Sequence, residues 1–271
     1  MQSIPGKARP PAVAGSFYAA APDQLLADVR GLLAAAGPGR APASAGPKAL
    51  IVPHAGYVYS GPVAASAYAA LRGSESQIQR VVLFGPAHRV PVRGLAAPAA
   101  DAFESPLGEV PVDRATLRRV EGLPQVLVDD RPHALEHSLE VQLPFLQHLL
   151  GSFELVPFVV GDATAEEVAE VMERLWGGPE TLIVVSSDLS HYYDYENACR
   201  LDAATTSAIE ALDPGALEFE SACGRVPVCG LLQAAARHSL KASTIDLRNS
   251  GDTAGPRDRV VGYGAYAFCP V

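Results

Sequence analysis

The chain has 271 residues, of which 48% are hydrophobic and 19% charged, and its net charge is -9. This length and composition allow one large domain with a full core. The acidic balance and the lack of a Lys/Arg-rich run argue against a nucleic-acid binder. No stretch approaches the ~20 apolar residues of a membrane span, and the N-terminus lacks a signal-peptide core. The four cysteines form no CxxC pair, so we expect reduced thiols in a cytoplasmic protein.

Apolar strand-like runs alternate with helical patterns along the chain, which predicts an α/β fold. The predicted elements in chain order are strand 48–53, helix 62–71, strands 80–85 and 154–161, helix 164–176, strand 181–186, helices 201–212 and 228–240, and strands 243–248 and 260–268. The expected architecture is a single domain over residues 1–271, with a central mixed, largely parallel sheet flanked by helices.

Two regions lie outside this alternation. Residues 37–47 are rich in Pro, Gly, Ala and Ser, which predicts a flexible loop within the domain. Residues 93–128 mix Pro and Gly with short alternating segments, which is typical of either an inserted hairpin or a lid. The sequence is compatible with both the hairpin and the lid, and we assign no role to either region.

Polar, ionisable residues follow three of the predicted strands. His54 comes after the strand 48–53, His88 after the strand 80–85, and the strand 181–186 runs into SSDLSHY, which contains Asp188 and His191. Ligands of open α/β sheets bind beyond the carboxyl ends of the strands. The recurrence at three strand ends therefore predicts a functional site there.

Two imidazoles with one anionic ligand are typical of non-haem Fe(II) oxygenases, whereas a thiolate as third ligand favours softer ions such as Cu(I) or Zn. His54 and His88 would supply the imidazoles, and the third ligand would be Asp188, another carboxylate or a cysteine. His191 is placed to move protons near neutral pH. The chain contains no HExxH or CxxC motif, so such a site would depend entirely on the fold.

The segment 133–150, HALEHSLEVQLPFLQHLL, has leucines at helical intervals, which predicts a helix with Leu135, Leu139, Leu143 and Leu146 toward the core. His137 and Glu140 lie three residues apart on another face. One interpretation is a surface helix on which these two side chains pair. The other is that the pair lines the crevice and orients a ligand or substrate.

The sequence resembles the Memo family over nearly its whole length. The residues that carry the resemblance are, in order, RPPAVAGSFY, IVPHAGYVYSGPVAASAY, VVLFGPAHRVPV, EHSLEVQLPFLQ, SSDLSHY and CGRVPVCGLL. Prokaryotic members of that family are called AmmeMemoRadiSam system protein B, and the family's fold is similar to the catalytic subunit of class III extradiol ring-cleaving dioxygenases. The resemblance implies a metal site formed by His54, His88 and Cys223. It also implies that His191 takes the place of the dioxygenase acid/base histidine, with Asp188 and His137 nearby.

Cys223 opens a predicted helix and precedes Gly224 and Arg225. A helix N-terminus and a neighbouring cation would both lower the pKa of the thiol, although a free cysteine is more commonly a small buried hydrophobe. The sequence departs from the family pattern at Arg89, where a second histidine is common, so we expect the hydrogen bonding around His88 to differ.

The resemblance allows more than one function. The first hypothesis is a metal-dependent oxidoreductase of the dioxygenase type with an unknown substrate; iron (Fe²⁺) is the expected metal, with copper or zinc as alternatives. The second is a non-catalytic module that binds a peptide or protein partner in the same crevice, since eukaryotic relatives are described as adaptors that recognise phosphotyrosine peptides. The third is metal-dependent hydrolysis.

The expected substrate contacts are Tyr57, Tyr59, Tyr192 and Glu140. The family label also implies association with radical SAM and AmmeMemoRadiSam A-type proteins.

Overall fold

A computed structural model describes residues 7–37 and 46–271 of the protein. Most of the loop predicted for residues 37–47 lies outside the described residues. None of the helices in the described ranges is long and apolar enough to cross a bilayer.

The described residues form twelve strands and nine α-helices. The strands are β1 (Ala8–Arg9), β2 (Ala49–Val52), β3 (Arg80–Pro86), β4 (Leu95–Ala97), β5 (Ala102–Ser105), β6 (Gly108–Pro111), β7 (Val126–Val128), β8 (Glu154–Val160), β9 (Thr181–Ser186), β10 (His191–Tyr193), β11 (Leu240–Asn249) and β12 (Val260–Pro270). The helices are α1 (Pro22–Ala35), α2 (Tyr57–Ala69), α3 (Arg114–Leu117), α4 (Arg131–Ala134), α5 (Leu143–Leu150), α6 (Ala165–Leu175), α7 (Tyr195–Glu210), α8 (Arg225–Arg237) and α9 (Ser250–Thr253).

The large sheet has the strand order β10-β12-β2-β9-β3-β8-β4-β7, and β11 pairs with β12. Its centre, from β2 through β9 and β3 to β8, is parallel. The pairs of β12 with β2 and of β4 with β8 are antiparallel. The prediction of a single-domain α/β fold with a mixed, largely parallel sheet is confirmed. The strands β2 and β9 are buried along their whole length, as expected for strands covered on both faces.

Helices cover this sheet because each presents an apolar stripe to it. In α6 the buried residues recur at helical spacing and pack toward α8, which itself contacts β3 and β9. Thr164 caps α6, and its side chain accepts the N–H of Glu167 while Glu167 bonds back to the backbone N–H of Thr164. The helices α1, α2 and α5 pack on one another, and α2 contacts β2 and β12.

The segment 93–128 contains a hairpin. β5 and β6 pair antiparallel, and β1 joins β5 in parallel to form a separate three-stranded sheet. The same segment also supplies β4 and β7 to the edge of the large sheet. Of the two alternatives left open by the sequence, the structure therefore shows the hairpin.

Helix α2 begins five residues earlier than the predicted helix 62–71. It starts at Tyr57, immediately after its cap Gly56, so Pro62 lies inside the helix. A proline inside a helix removes one hydrogen bond, and the five residues by which the helix is longer at this end include the buried Tyr57 and Gly61. A side chain at Gly61 would approach Leu32 of α1 to 2.9 Å, so the glycine permits the close contact of the two helices.

The continuous helix predicted for residues 133–150 is wrong. The chain instead forms α4, an irregular stretch, a 3₁₀ turn at Glu140–Gln142, and α5. The helix is interrupted because the Glu136 carboxylate accepts the backbone N–H groups of His137 and Ser138, which a helix would direct to earlier carbonyls. Leu135 is consequently 64% exposed rather than part of the core, whereas the other three leucines are buried.

Candidate metal centre

The predicted site residues follow three neighbouring parallel strands. The order β2-β9-β3 places the carboxyl ends of these strands side by side. His54, Asp188 and His88 each lie two residues beyond the last residue of β2, β9 and β3, respectively. Because parallel strands end at the same edge of a sheet, these positions converge.

The potential ligand atoms of His54, His88 and Cys223 all lie within 4.8 Å of one another. The Cys223 sulfur is 3.3 Å from Nε2 of His54, and the two imidazole rings are 5.2 Å apart in an edge-to-face arrangement. Cys223 enters from the loop before α8, where its N–H donates to the carbonyl of Asp188 at 3.3 Å. The structure thus brings together the three residues that the family resemblance names as ligands.

Buried hydrogen bonds set the tautomer of His54. The Ser186 hydroxyl donates to the carbonyl of Ser138 at 2.6 Å and accepts the Gln142 amide at 2.8 Å. Its proton is therefore committed, and the bond of 2.9 Å to His54 Nδ1 must be donated by the ring. The lone pair of the neutral imidazole then lies on Nε2, which faces Cys223.

A carboxylate orients His88 in the same way. Glu136 accepts Nδ1–H of His88 at 2.9 Å and its backbone N–H at 2.7 Å. Burial by itself would raise the pKa of Glu136, but the bonds and charge of His88 and the backbone N–H of Ser138 lower that pKa to about 2. An ionised carboxylate only accepts, so Nδ1 of His88 carries a proton and Nε2 is the ring nitrogen left to bind a metal. Such carboxylate–histidine pairs orient metal ligands in many proteins.

The imidazoles around this point favour their neutral forms. Burial, together with the charges that His88, His137 and His191 would carry, holds the pKa of His54 well below its ordinary value. Burial lowers the pKa of His137 to about 4 and also lowers that of His191. Neutral imidazole is the form that binds a metal.

The thiol of Cys223 differs from the expectation. Burial, followed by the charge of Asp188, raises the pKa of Cys223 to about 12, whereas the helix N-terminus and Arg225 were expected to lower it. The helix begins only at Arg225, two residues after the cysteine. The thiol is therefore protonated at neutral pH in the metal-free protein, and a metal that binds there displaces the proton.

Asp188 lies beneath the site. It is 5% exposed, and its Oδ1 accepts the backbone N–H of His54 at 2.7 Å. Burial raises the pKa of Asp188 to about 7, although hydrogen bonds from the backbone of His54 and Ala55 oppose this rise. The structure thus uses its carboxylate to hold the loop that carries His54.

A cavity of about 760 Å³ opens over these residues. Its walls include most of the predicted site residues, namely His54, His88, His137, Asp188, His191, Tyr192 and Cys223, and also Tyr59. His137 stacks on His88 with ring centroids 4.7 Å apart. Tyr57 does not line the cavity, since it is buried and its hydroxyl donates to the carbonyl of Val141 at 2.7 Å.

Glu140 also lies outside the cavity lining, so both interpretations of the pair with His137 are corrected. It is fully buried, and its carboxylate forms an ion pair with Arg9. The same carboxylate accepts the backbone N–H groups of Ala12 and Val13 and the hydroxyl of Tyr18. Glu140 therefore fastens the N-terminal segment to the 3₁₀ turn instead of contacting a substrate.

Four residues that hold the histidines were missed by the sequence analysis, namely Glu136, Ser138, Gln142 and Ser186. All four are buried. The available signal was the presence of polar residues inside apolar runs, such as the serine that ends β9. In the segment 133–150 the leucine spacing drew attention to helical periodicity instead.

A family model described as Memo-like protein matches residues 9–267 of the chain. The chain belongs to the Memo family. A MEMO1 family protein of Aeropyrum pernix is 40% identical, with 96% of this chain and 99% of the relative covered. The MEMO1 family protein of Aquifex aeolicus is 37% identical, with 97% and 99% covered, and that of Thermotoga maritima is 35% identical, with 94% and 97% covered.

Among solved structures, this Memo family chain is similar to the crystal structure of an uncharacterised protein from Escherichia coli K12. The TM-score is 0.50 at 14% sequence identity, over 80% of this chain and 98% of the other. This likeness concerns the fold alone.

Proposed function

We propose that this Memo family protein is a metal-dependent oxidoreductase of the extradiol dioxygenase type, with His54, His88 and Cys223 as the metal ligands. One observation carries the proposal. Two imidazoles at the carboxyl ends of parallel strands each donate Nδ1–H to a buried acceptor, which leaves Nε2 of each ring available to a metal, and their ligand atoms lie within 4.8 Å of each other and of the cysteine sulfur. Histidines that served only to pack the core would not need this common orientation.

The donor set fits iron, copper or zinc. Imidazole nitrogen suits all three ions, and a thiolate shifts the preference toward the softer ones. Iron (Fe²⁺) remains the expected ion from the family's resemblance to dioxygenases, with copper and zinc as alternatives. When bound, such a metal supplies Lewis-acid polarisation of a chelating substrate or redox chemistry.

The remaining cavity residues supply proton transfer and substrate contacts. His191 and His137 are both poised as neutral bases by burial, so either can accept a proton from a substrate hydroxyl that enters the cavity. We assign His191 the acid/base role, with His137 and Asp188 assisting. Tyr192 is 64% exposed at the rim, where it can contact the substrate.

Metal content tests this proposal. The protein is purified without oxygen, and its metals are measured by mass spectrometry in wild type, His88→Ala and Cys223→Ala. The matched controls are His148→Ala and Cys199→Ala, because neither residue belongs to the cluster. We expect bound metal in wild type and both controls and its loss in both site variants. Wild-type protein that binds no metal after reconstitution with iron, copper and zinc would contradict the proposal.

Oxygen consumption tests the reaction type. Metal-loaded wild type is mixed with a catechol in oxygenated buffer, and His191→Ala is the comparison. Consumption that depends on both the metal and His191 supports the oxidoreductase. Turnover of an ester or amide without oxygen would instead indicate metal-dependent hydrolysis.

A non-catalytic binding module is the second candidate function. The observation that favours it is the exposed apolar rim, in which Val58 is 66%, Tyr59 41% and Tyr192 64% exposed. Affinity for a phosphotyrosine peptide that survives chelation of the metal would support this alternative. Peptide affinity that is lost when the metal is removed would favour the metal-dependent oxidoreductase over the binding module.

The cellular setting is also a proposal. All four cysteines are free thiols, which suits the reducing cytoplasm. Association with radical SAM and AmmeMemoRadiSam A-type proteins would be tested by co-purification of the co-expressed proteins. Failure of both to co-purify under anaerobic conditions would count against this association.

A further inference from the structure

The mouth of the cavity carries a positive charge that the described residues leave unpaired. Arg89 directly follows His88, is exposed, and lines the cavity. Across residues 7–37 and 46–271, no carboxylate forms an ion pair with Arg89 and no acceptor takes a hydrogen bond from its guanidinium. An exposed arginine at a cavity wall therefore keeps its donors available.

No acid in the cavity lining competes for this charge. The carboxyl group of the lining belongs to Asp188, which is 5% exposed and already accepts the backbone N–H of His54. The protein as a whole has a net charge of -9 and so repels anions at long range. Arg89 makes the cavity mouth a local exception to this repulsion.

Aromatic side chains line the same cavity as Arg89. Phe17, Tyr59 and Tyr192 line the same cavity. A second cation lies near this cavity. The Arg259 guanidinium is 5.1 Å from the centre of the ring of Tyr192, which lines the cavity. Aromatic rings and an arginine in one cavity can offer an apolar surface and an anion-binding group to the same ligand.

We propose that Arg89 is a specificity-determining residue that binds the anionic group of the substrate. The substrate class is a small molecule with an aromatic or apolar body and a carboxylate or phosphate group. The planar guanidinium forms paired hydrogen bonds with either group, which a neutral substituent cannot reproduce. The inference deepens the proposed function and rests on it for the reaction, whereas the anion contact itself requires no metal.

Binding to the metal-free protein tests the contact. The probes are benzoate, phenyl phosphate and the neutral benzyl alcohol, and dissociation constants are measured by NMR titration. The variants are Arg89→Gln, which removes the charge, and Arg89→Lys, which keeps the charge but not the fork. Arg119→Gln is the matched control, because Arg119 is also exposed but lies outside the cavity lining.

We expect wild type and Arg119→Gln to bind at least one anion about tenfold or more tightly than benzyl alcohol, a difference of about 1.4 kcal/mol. Arg89→Gln should lose this preference, and Arg89→Lys should keep part of it. The preferred anion distinguishes a carboxylate from a phosphate substrate. The proposal is overturned if wild type binds neither anion saturably, or if Arg89→Gln keeps the preference.

The two proposals fail separately. Anion preference without metal binding after reconstitution would leave Arg89 as a ligand contact and reject the oxidoreductase. Metal binding without an anion preference would keep the metal centre and reject this substrate class.

Discussion

The two ends of the strands β2, β9 and β3 carry polar residues in very different states. At the amino ends, Lys48 donates to the carbonyls of Trp176, Gly178 and Thr181. Arg80 likewise pairs with Asp113 at 2.8 Å. Both cations are therefore already paired with groups of the protein.

At the carboxyl ends, each of the two histidines is held in place through only one of its ring nitrogens. His54 and His88 each donate one ring N–H to a buried partner, and the ligand atoms of both rings lie within 4.8 Å of the Cys223 sulfur. The comparison shows that burial and charge alone do not identify a functional site. The informative feature is a buried network that holds a side chain and leaves one of its atoms directed to a cavity.

Two buried glutamates near the site should respond differently to substitution, and the largest expected effect is a loss of stability at Glu140. Glu140→Leu leaves Arg9 buried without its partner, and we expect a loss of about 3–5 kcal/mol in the free energy of unfolding. Urea denaturation measures this loss. The double variant Arg9→Met with Glu140→Leu should recover much of it. A single variant as stable as wild type would contradict the anchoring role of Glu140.

Glu136→Gln should instead weaken metal binding. The substitution removes the carboxylate charge that orients His88, and loss of such a partner lowers metal affinity about 10–100-fold. Competition with a chromophoric chelator measures the affinity. The exposed Glu109→Gln serves as control. Unchanged affinity in Glu136→Gln, with the protein folded, would show that the carboxylate does not position His88.

Lys48→Met tests the opposite end of the sheet. We expect a loss of about 1–2 kcal/mol in unfolding free energy, because carbonyls lose a donor in a half-buried setting. Metal content should stay at the wild-type level. Loss of metal in the folded variant would mean that the two ends of the strands are not independent.

The last expected effect is a pH dependence, and it concerns the buried carboxyl group of Asp202. Asp202 accepts the backbone N–H of Ser190 at 3.0 Å, and burial raises its pKa to about 6. A carboxyl with a raised folded-state pKa binds its proton more tightly when folded, so its contribution to stability is full below about pH 4 and falls as pH rises through about 6. Relative to wild type, Asp202→Asn should therefore gain about 2 kcal/mol between pH 4 and pH 7.

Urea denaturation at several pH values checks this prediction. The exposed Asp258→Asn is the control and should show no such gain. A stability difference between Asp202→Asn and wild type that stays constant over this pH range would contradict the shifted pKa.

Much of the fold could be predicted because the strands β2, β3, β8 and β9 are continuous apolar runs of the length that a covered parallel sheet requires. The strand-end positions of His54, His88 and Asp188 followed from the same pattern. The segment 133–150 could not be predicted in this way, because its conformation depends on side-chain bonds from Glu136 and Glu140 to distant backbone groups.

The α/β class, the strand-end histidines and, through the ordered motifs, membership of the Memo family could all be recognised from the sequence alone. Local periodicity and motif order are properties of neighbouring residues, so they can be read along the chain. Which side-chain atoms come into contact, by contrast, follows from the tertiary structure. It placed Cys223 beside His54, 169 positions away in the chain, and assigned Glu140 to Arg9 instead of the cavity. Such contacts depend on strand order and burial, which no local pattern specifies.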